Sequence, residues 1–193
     1  MLACLLLVAA CPVAAWAQPA AAEVTLLRLE QRPDGIFLVA NVKIALPEAV
    51  EDALLKGVPM FFLAQAEVVR HRWYWSDKKV ASAQRHMRLA YQPLTRRWRL
   101  NVASGPITAT SMGLALNLGY DSLPDAIAAL QRISGWKIAD ASQIDADAIH
   151  KVDFRFSLDL TQLPRPFQIG AFGQSDWNIS ASASQQIGSE GIK

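Results

Sequence analysis

Apolar and polar residues alternate at every second position in several stretches of this chain, a pattern typical of β-strands that bury one face. In the clearest stretch, Val152 to Leu160, valine, phenylalanine and leucine alternate with aspartate, arginine and serine. Strands of a parallel sheet are buried on both faces and read as continuous apolar runs, so this alternation indicates antiparallel pairing. Strands are also predicted over residues 24–30, 36–46, 58–71, 84–91 and 96–102.

Two segments have the period of a helix instead. Pro47 opens a short helix that ends at Gly57, and Ser122 is predicted to cap a second helix that ends at Gly135. The turn residues Pro33-Asp34-Gly35 predict a hairpin between the first two strands. Together these elements predict a mainly β or α+β fold, an antiparallel β-sandwich-like domain with two short helices.

The domain boundaries follow from composition. Residues 24–182 are predicted to form a single globular domain, in which prolines at 164 and 166 bound a turn. Residues 104–119 have no clear period and are interpreted as a loop with a short strand. A last edge strand is predicted over 177–181. From Ser180 onward the chain is mainly serine, alanine, glutamine and glycine, so its end is predicted to fray, with a flexible tail at 183–193.

The first 17 residues predict a signal peptide, although no lysine or arginine precedes its apolar run. The run from Leu2 to Ala10 is shorter than the roughly 20 apolar residues that span a bilayer. Ala15-Trp16-Ala17 then matches the small-residue pattern of a signal-peptidase site. Cleavage there leaves a linker at 18–23 and predicts a periplasmic or secreted domain.

A lipoprotein is the alternative, because Val8-Ala9-Ala10-Cys11 resembles a lipobox and Cys11 would then be lipidated. Cys4 and Cys11 are the only cysteines in the chain. Cleavage after Ala17 would therefore leave a mature domain without a thiol, a disulfide or a cysteine-based metal site.

The chain lacks the stronger motifs for nucleotide binding, serine hydrolysis and zinc proteolysis. Two weak sets remain: His71 and His86 with Glu67 or Asp77 as metal ligands, and Ser82, His86 and Asp77 as a catalytic triad. Surface imidazoles on solvated strands are the simpler interpretation. We therefore expect no enzyme, no catalytic residue, no metal and no cofactor, with an unrecognised hydrolase as an alternative.

Positive charge is concentrated in one segment. Residues 70–99 contain nine lysines and arginines and a single acid, Asp77, for a net charge of +8, whereas the rest of the chain carries −6 and the whole chain +2. Tryptophans and tyrosines lie between these basic residues. We predict an interaction surface formed by Arg70, Arg72, Trp73, Trp75, Lys78, Lys79, Arg88, Arg97 and Arg99.

Such a surface suits an anionic partner, such as an acidic loop of an envelope protein, an anionic membrane surface or a glycan. Nucleic acid is not an expected partner of an exported protein. The alternative is a solvated strand face whose charges discourage edge pairing, with the tryptophans in the core.

The stretches that carry a family resemblance are residues 46–54, 56–59, 72–75, 77–80, 88–91, 134–136, 163–168 and 176–177. Together they resemble an uncharacterised family of exported proteobacterial proteins, a domain of unknown function, over roughly residues 24–182. The resemblance implies an exported domain with no assigned catalytic residues, often encoded beside a membrane sensor kinase. The periplasmic region of such a kinase is therefore the implied partner, and an exported, non-enzymatic interaction or accessory domain of the cell envelope is the expected function.

Overall fold

The computed structural model describes residues 21–70, 78–108, 115–145, 148–171 and 175–187. Nine strands and three helices are described there, which confirms a β-rich, sandwich-like α+β fold. The strands are β1 Ala22–Arg32, β2 Gly35–Ile44, β3 Met60–Arg70, β4 Lys78–Gln92, β5 Arg97–Ala103, β6 Leu116–Tyr120, β7 Arg132–Asp140, β8 His150–Leu158 and β9 Ser180–Ile187. The helices are α1 Glu48–Leu55, α2 Leu123–Gln131 and α3 Arg165–Ala171.

The strands form two antiparallel sheets of unequal width. One has three strands in the order β1-β2-β7, and the other has six in the order β6-β5-β4-β3-β8-β9. β1 lies against β9 and β7 against β4, while α2 contacts β5 and β6 as well as β2 and β7. The narrow sheet and α2 together therefore cover one face of the wide sheet, which we call its inner face. The opposite face is called the outer face.

The core lies between the two sheets. Phe62 of β3 stacks on Phe156 of β8, with 5.6 Å between ring centroids. Across the same two strands small residues face large ones, since Ala64 pairs with Phe156 and Ala66 with Phe154. Each fully buried phenylalanine contributes about 1.5–3 kcal/mol relative to an exposed one. Trp98, Trp136 and Trp177 are also buried in this core, with exposed fractions of 4%, 6% and 7%.

The predicted hairpin joins β1 to β2, with Arg32 paired to Gly35 across the turn. Gly35 has a φ of 149°, which a residue with a side chain rarely adopts. A Cβ atom placed there would lie 2.1 Å from the carbonyl oxygen of Ala139 in β7. Glycine therefore allows β2 to approach β7 at this end of the narrow sheet.

The second helix is capped as predicted but ends earlier. The Ser122 hydroxyl donates to a carboxylate oxygen of Asp125 at 2.6 Å and accepts from the Asp125 backbone N–H at 3.2 Å. The helix ends at Gln131, and β7 begins at the next residue. Gly135, predicted as the helix end, instead lies within β7 with a φ of 56°. Register shifts against β2 break the period-two pattern of β7, which hid this strand in the sequence.

The structure differs from the sequence pattern at three further places, one of which is the last edge strand, predicted over 177–181 and found as β9 at Ser180–Ile187. β6 forms inside the region without a clear period, and α3 forms where prolines predicted a turn, because proline is tolerated in a first helical turn. β9 pairs with β8 as far as Ile187, beyond the boundary predicted at 182. Only one of its four inward residues, Ile187, is a large apolar residue, which gives a weak periodic signal. Within the described ranges, no helix combines the length and apolar character needed to cross a membrane.

Candidate interaction surface

Three arginines of the predicted surface meet on the outer face of the wide sheet. Arg88 of β4 pairs with Asn101 of β5, and both side chains point outward. The next outward-facing pair along these two strands is Ala90 with Arg99. Arg97 lies opposite Gln92, one further outward pair along the same two strands. Outward pairs succeed each other because side chains alternate between the two faces of a strand. We call Arg88, Arg97 and Arg99 the arginine patch.

Two of these guanidinium groups, those of Arg99 and Arg88, contact neutral side chains. Nε of Arg99 donates to Oε1 of Gln92 at 3.0 Å, and Nη1 of Arg99 lies 3.4 Å from Oδ1 of Asn117. The guanidinium carbon of Arg88 lies 6.0 Å from the ring centroid of Phe61. Partial burial lowers the pKa of Arg88 from its ordinary value.

Arg97 differs from its two neighbours because it has a carboxylate partner. Its Nη2 atom lies 2.9 Å from Oδ1 of Asp121. Among the residues that the structure describes, Arg88 and Arg99 form no ion pair with an acid. The patch therefore presents two positioned charges that no described carboxylate neutralises.

The other basic residues lie at the far end of the sheet. Arg70 of β3 lies opposite Lys78 of β4 in the strand register. Lys78 is ten positions from Arg88 along β4, which is roughly 33 Å at about 3.3 Å per residue. Arg70 also forms an ion pair with Asp145 at 3.2 Å, and Lys79 pairs with Glu67 at 2.6 Å. The structure thus separates Arg70, Lys78 and Lys79 from the arginine patch. Arg72, Trp73 and Trp75 lie outside the described residues.

An exposed leucine lies next to the patch. Leu94 is in the turn between β4 and β5, and its side chain is fully exposed, at 102% of the reference area. Arg96 in the same turn has a left-handed backbone, with a φ of 51°. Gly57, just after α1, packs beside Pro93 of this turn, and Leu55 is also exposed. This end of the domain therefore combines apolar and basic side chains at the surface.

Those residues considered for catalysis and metal binding that the structure describes do not converge. Ser82 and His86 share the outer face of β4 but are four positions apart, about 13 Å, which is too far for a hydrogen bond. His71 and Asp77 lie outside the described residues. Elsewhere in the described chain, no group of three or more histidine, cysteine, aspartate or glutamate residues could hold a metal ion.

His86 itself is buried, with an exposed fraction of 8%. Burial lowers its pKa, and the nearby charge of Asp159 opposes that effect. Burial alone would raise the pKa of Asp159, but hydrogen bonds from Thr161 and Gln162 lower it below its ordinary value. His86 is therefore a buried imidazole near a carboxylate, and not the surface group that the sequence suggested.

Arg85 is the residue that sequence reasoning overlooked. It lies opposite Ala64 in the register of β3 and β4, so its side chain enters the inner face. Its guanidinium carbon lies 5.2 Å from the ring centroid of Trp136 on β7. The signal was present in the pattern, because Arg85 is in phase with Met87 and Leu89, two apolar residues of the core.

Residues 20–187 match the model of a protein family described as a domain of unknown function, DUF4390, so the chain belongs to that family. No curated protein and no solved structure is similar enough to this chain to count as a match.

Proposed function

We propose that this chain is an exported, non-enzymatic interaction domain of the cell envelope that binds an acidic region of a protein partner through the arginine patch. The observation that carries the proposal is that Arg88 and Arg99 lack a carboxylate partner among the described residues. Gln92 orients Arg99 through a hydrogen bond, Arg88 lies near the ring of Phe61, and neither arginine forms an ion pair with a described carboxylate.

Arginine is suited to this role for two reasons. Its planar guanidinium group binds carboxylates through two parallel hydrogen bonds. Side chains that are already held in place lose less conformational entropy when a partner binds. The contacts of Arg99 with Gln92 and Asn117 orient its side chain in this way. Positive charge on one face also speeds association with an acidic partner, and that effect weakens as salt is added.

The family resemblance makes the periplasmic region of a sensor kinase the first partner to test. Residues 1–17 would direct export, with the mature domain either free after Ala17 or anchored through a lipid on Cys11. The intact mass of the mature protein separates these two routes, since lipidation adds a diacylglycerol group to Cys11 and keeps residues 12–17.

Cross-linking in living cells, with partners identified by mass spectrometry, tests the proposal. The Arg88→Glu, Arg99→Glu double variant is expected to lose the partner that the unmodified protein recovers. Arg155→Glu is the matched control, because Arg155 is exposed on the outer face of β8, two strands away from β4. Recovery of the same partner in equal amount with the double variant would refute a role for the patch.

An anionic membrane surface is the second candidate, and Leu94 favours it. A fully exposed leucine in the turn that contains Arg96 and precedes Arg97 of β5 can enter the interface while the arginines contact lipid head groups. Each basic residue near such a surface contributes about 1 kcal/mol.

Flotation with vesicles of rising phosphatidylglycerol content tests this second candidate. Leu94→Ser should weaken binding to anionic vesicles, whereas Leu26→Ser, at an exposed leucine of the narrow sheet, should not. Equal flotation on neutral and anionic vesicles, or no flotation at all, would contradict recognition of an anionic membrane surface and leave the protein partner as the surviving candidate.

A further inference from the structure

A second cationic site lies inside the sandwich, on the face opposite the arginine patch. Arg85 and Arg88 are three positions apart on β4 and therefore point to opposite faces of the sheet. Around Arg85 the inner face is apolar, with Ala64 beside it and Met87 and Leu89 further along β4. Burial lowers the pKa of Arg85 from its ordinary value.

Arg85 faces a cavity of about 390 Å³ where the narrow sheet and α2 do not fully cover the wide sheet. A cavity of this size is within the range of small-molecule sites. Met87, Leu100 and Leu118 of the wide sheet are among the apolar residues that line the cavity. Its lining also includes Arg132 at the start of β7 and the serines Ser104 and Ser134. The lining therefore combines apolar side chains with two arginines and a few hydroxyl groups.

Within the described parts of the chain, no carboxylate forms an ion pair with Arg85 or Arg132. An aromatic ring, that of Trp136, is the neighbour of the Arg85 guanidinium group. Arg132 is exposed, but Arg85 is partly buried, and a charge withdrawn from water without a counter-charge is unfavourable. A carboxylate brought in by a ligand would supply that counter-charge.

We propose that this cavity binds a free fatty acid. The carboxylate lies between Arg85 and Arg132, and the acyl chain lies against Met87, Leu100 and Leu118. The proposal is independent of the function assigned to the arginine patch, since the two sites use different arginines on different faces.

Isothermal titration of delipidated protein with sodium dodecanoate, below its micelle concentration, tests the site. Arg85→Met should weaken dodecanoate binding by at least about tenfold, because a hydrogen bond to a charged group is lost. Binding of dodecan-1-ol, which has the chain without the charge, should change little. Arg155→Met, on the outer face, is the matched control and should bind dodecanoate as the unmodified protein does.

Two further variants keep the test decisive. Arg85→Met should keep or raise the melting temperature, because an apolar side chain replaces a partly buried, unpaired cation. If it unfolds instead, Arg132→Met replaces it, since Arg132 is exposed and should fold normally. The Arg88→Glu, Arg99→Glu variant should still bind dodecanoate, which separates this site from the patch. Equal dodecanoate affinity in Arg85→Met and unmodified protein, or no saturable binding by the latter, would overturn the proposal.

Discussion

Gly35→Ala adds one carbon atom where the structure leaves no room for it, and we expect this substitution to lower the stability of the domain. The new Cβ would lie 2.1 Å from the carbonyl oxygen of Ala139, a distance that real Cβ contacts essentially never show. Neither group can move freely. Gly35 starts the central strand of the narrow sheet, and Ala139 lies on the strand paired with it.

Two contributions make up the cost. A backbone conformation reserved for glycine, here a φ of 149°, costs a residue with a side chain about 1–3 kcal/mol. Relieving the contact requires β7 to move by about 1 Å, which disrupts the last pairs, Gly35 with Asp140 and Ile36 with Ala139. Each lost hydrogen bond costs about 1 kcal/mol. We therefore expect a destabilisation of about 3–5 kcal/mol.

Urea unfolding followed by circular dichroism measures this difference directly. A domain of this size loses about 2–4 °C of melting temperature per kcal/mol, so thermal unfolding should shift by roughly 10 °C. Gly119→Ala is the matched control, because no atom lies within 4 Å of a Cβ placed there. It should change stability by no more than about 0.5 kcal/mol. A change below about 1 kcal/mol in Gly35→Ala would refute the reasoning.

Two further predictions concern the cap of α2 and the buried histidine. Ser122→Ala should lower the free energy of unfolding by about 1 kcal/mol, because the Asp125 N–H loses its acceptor. An unchanged midpoint in urea unfolding would contradict a stabilising role for this cap. Burial lowers the pKa of His86 below 6.5, so the unfolded state binds the proton more readily. The stability linked to His86 is thus complete above pH 6.5 and declines as the pH falls below it. His86→Gln should flatten this pH dependence in urea titrations between pH 7.5 and 5.5, and an unaltered slope would contradict it.

The strands with regular alternation were predictable because one face of each is buried and the other solvated. β8 is the clearest example, since its four inward residues from Val152 to Leu158 are all buried. β7 was hidden because shifts in its register against β2 displace Ile133, Trp136 and Ile138 from a simple period. The bounds of β9 were misplaced for a different reason, because alanine and serine differ too little in hydrophobicity to mark the two faces of a strand.

The candidate site was predictable only in part. Composition located the basic segment, and period-two reasoning placed Arg88, Arg97 and Arg99 on one face of neighbouring strands. It did not reveal that Asp121 would pair with Arg97, because that contact depends on how the chain enters α2. Arg85 was overlooked because its charge suggested a solvated position. Its phase along β4, in step with Met87, was the better guide.

The opposition of small and large side chains across β3 and β8 has a consequence for how this family can vary. Ala64 faces Phe156 and Ala66 faces Phe154, so each pair shares one fixed volume between the sheets. Enlarging either alanine alone would overfill that volume, at a cost of about 1–3 kcal/mol. Relatives with a larger residue at either alanine position should therefore carry a smaller one at the paired phenylalanine position. Sequence covariation between these pairs would then record the spacing of the two sheets.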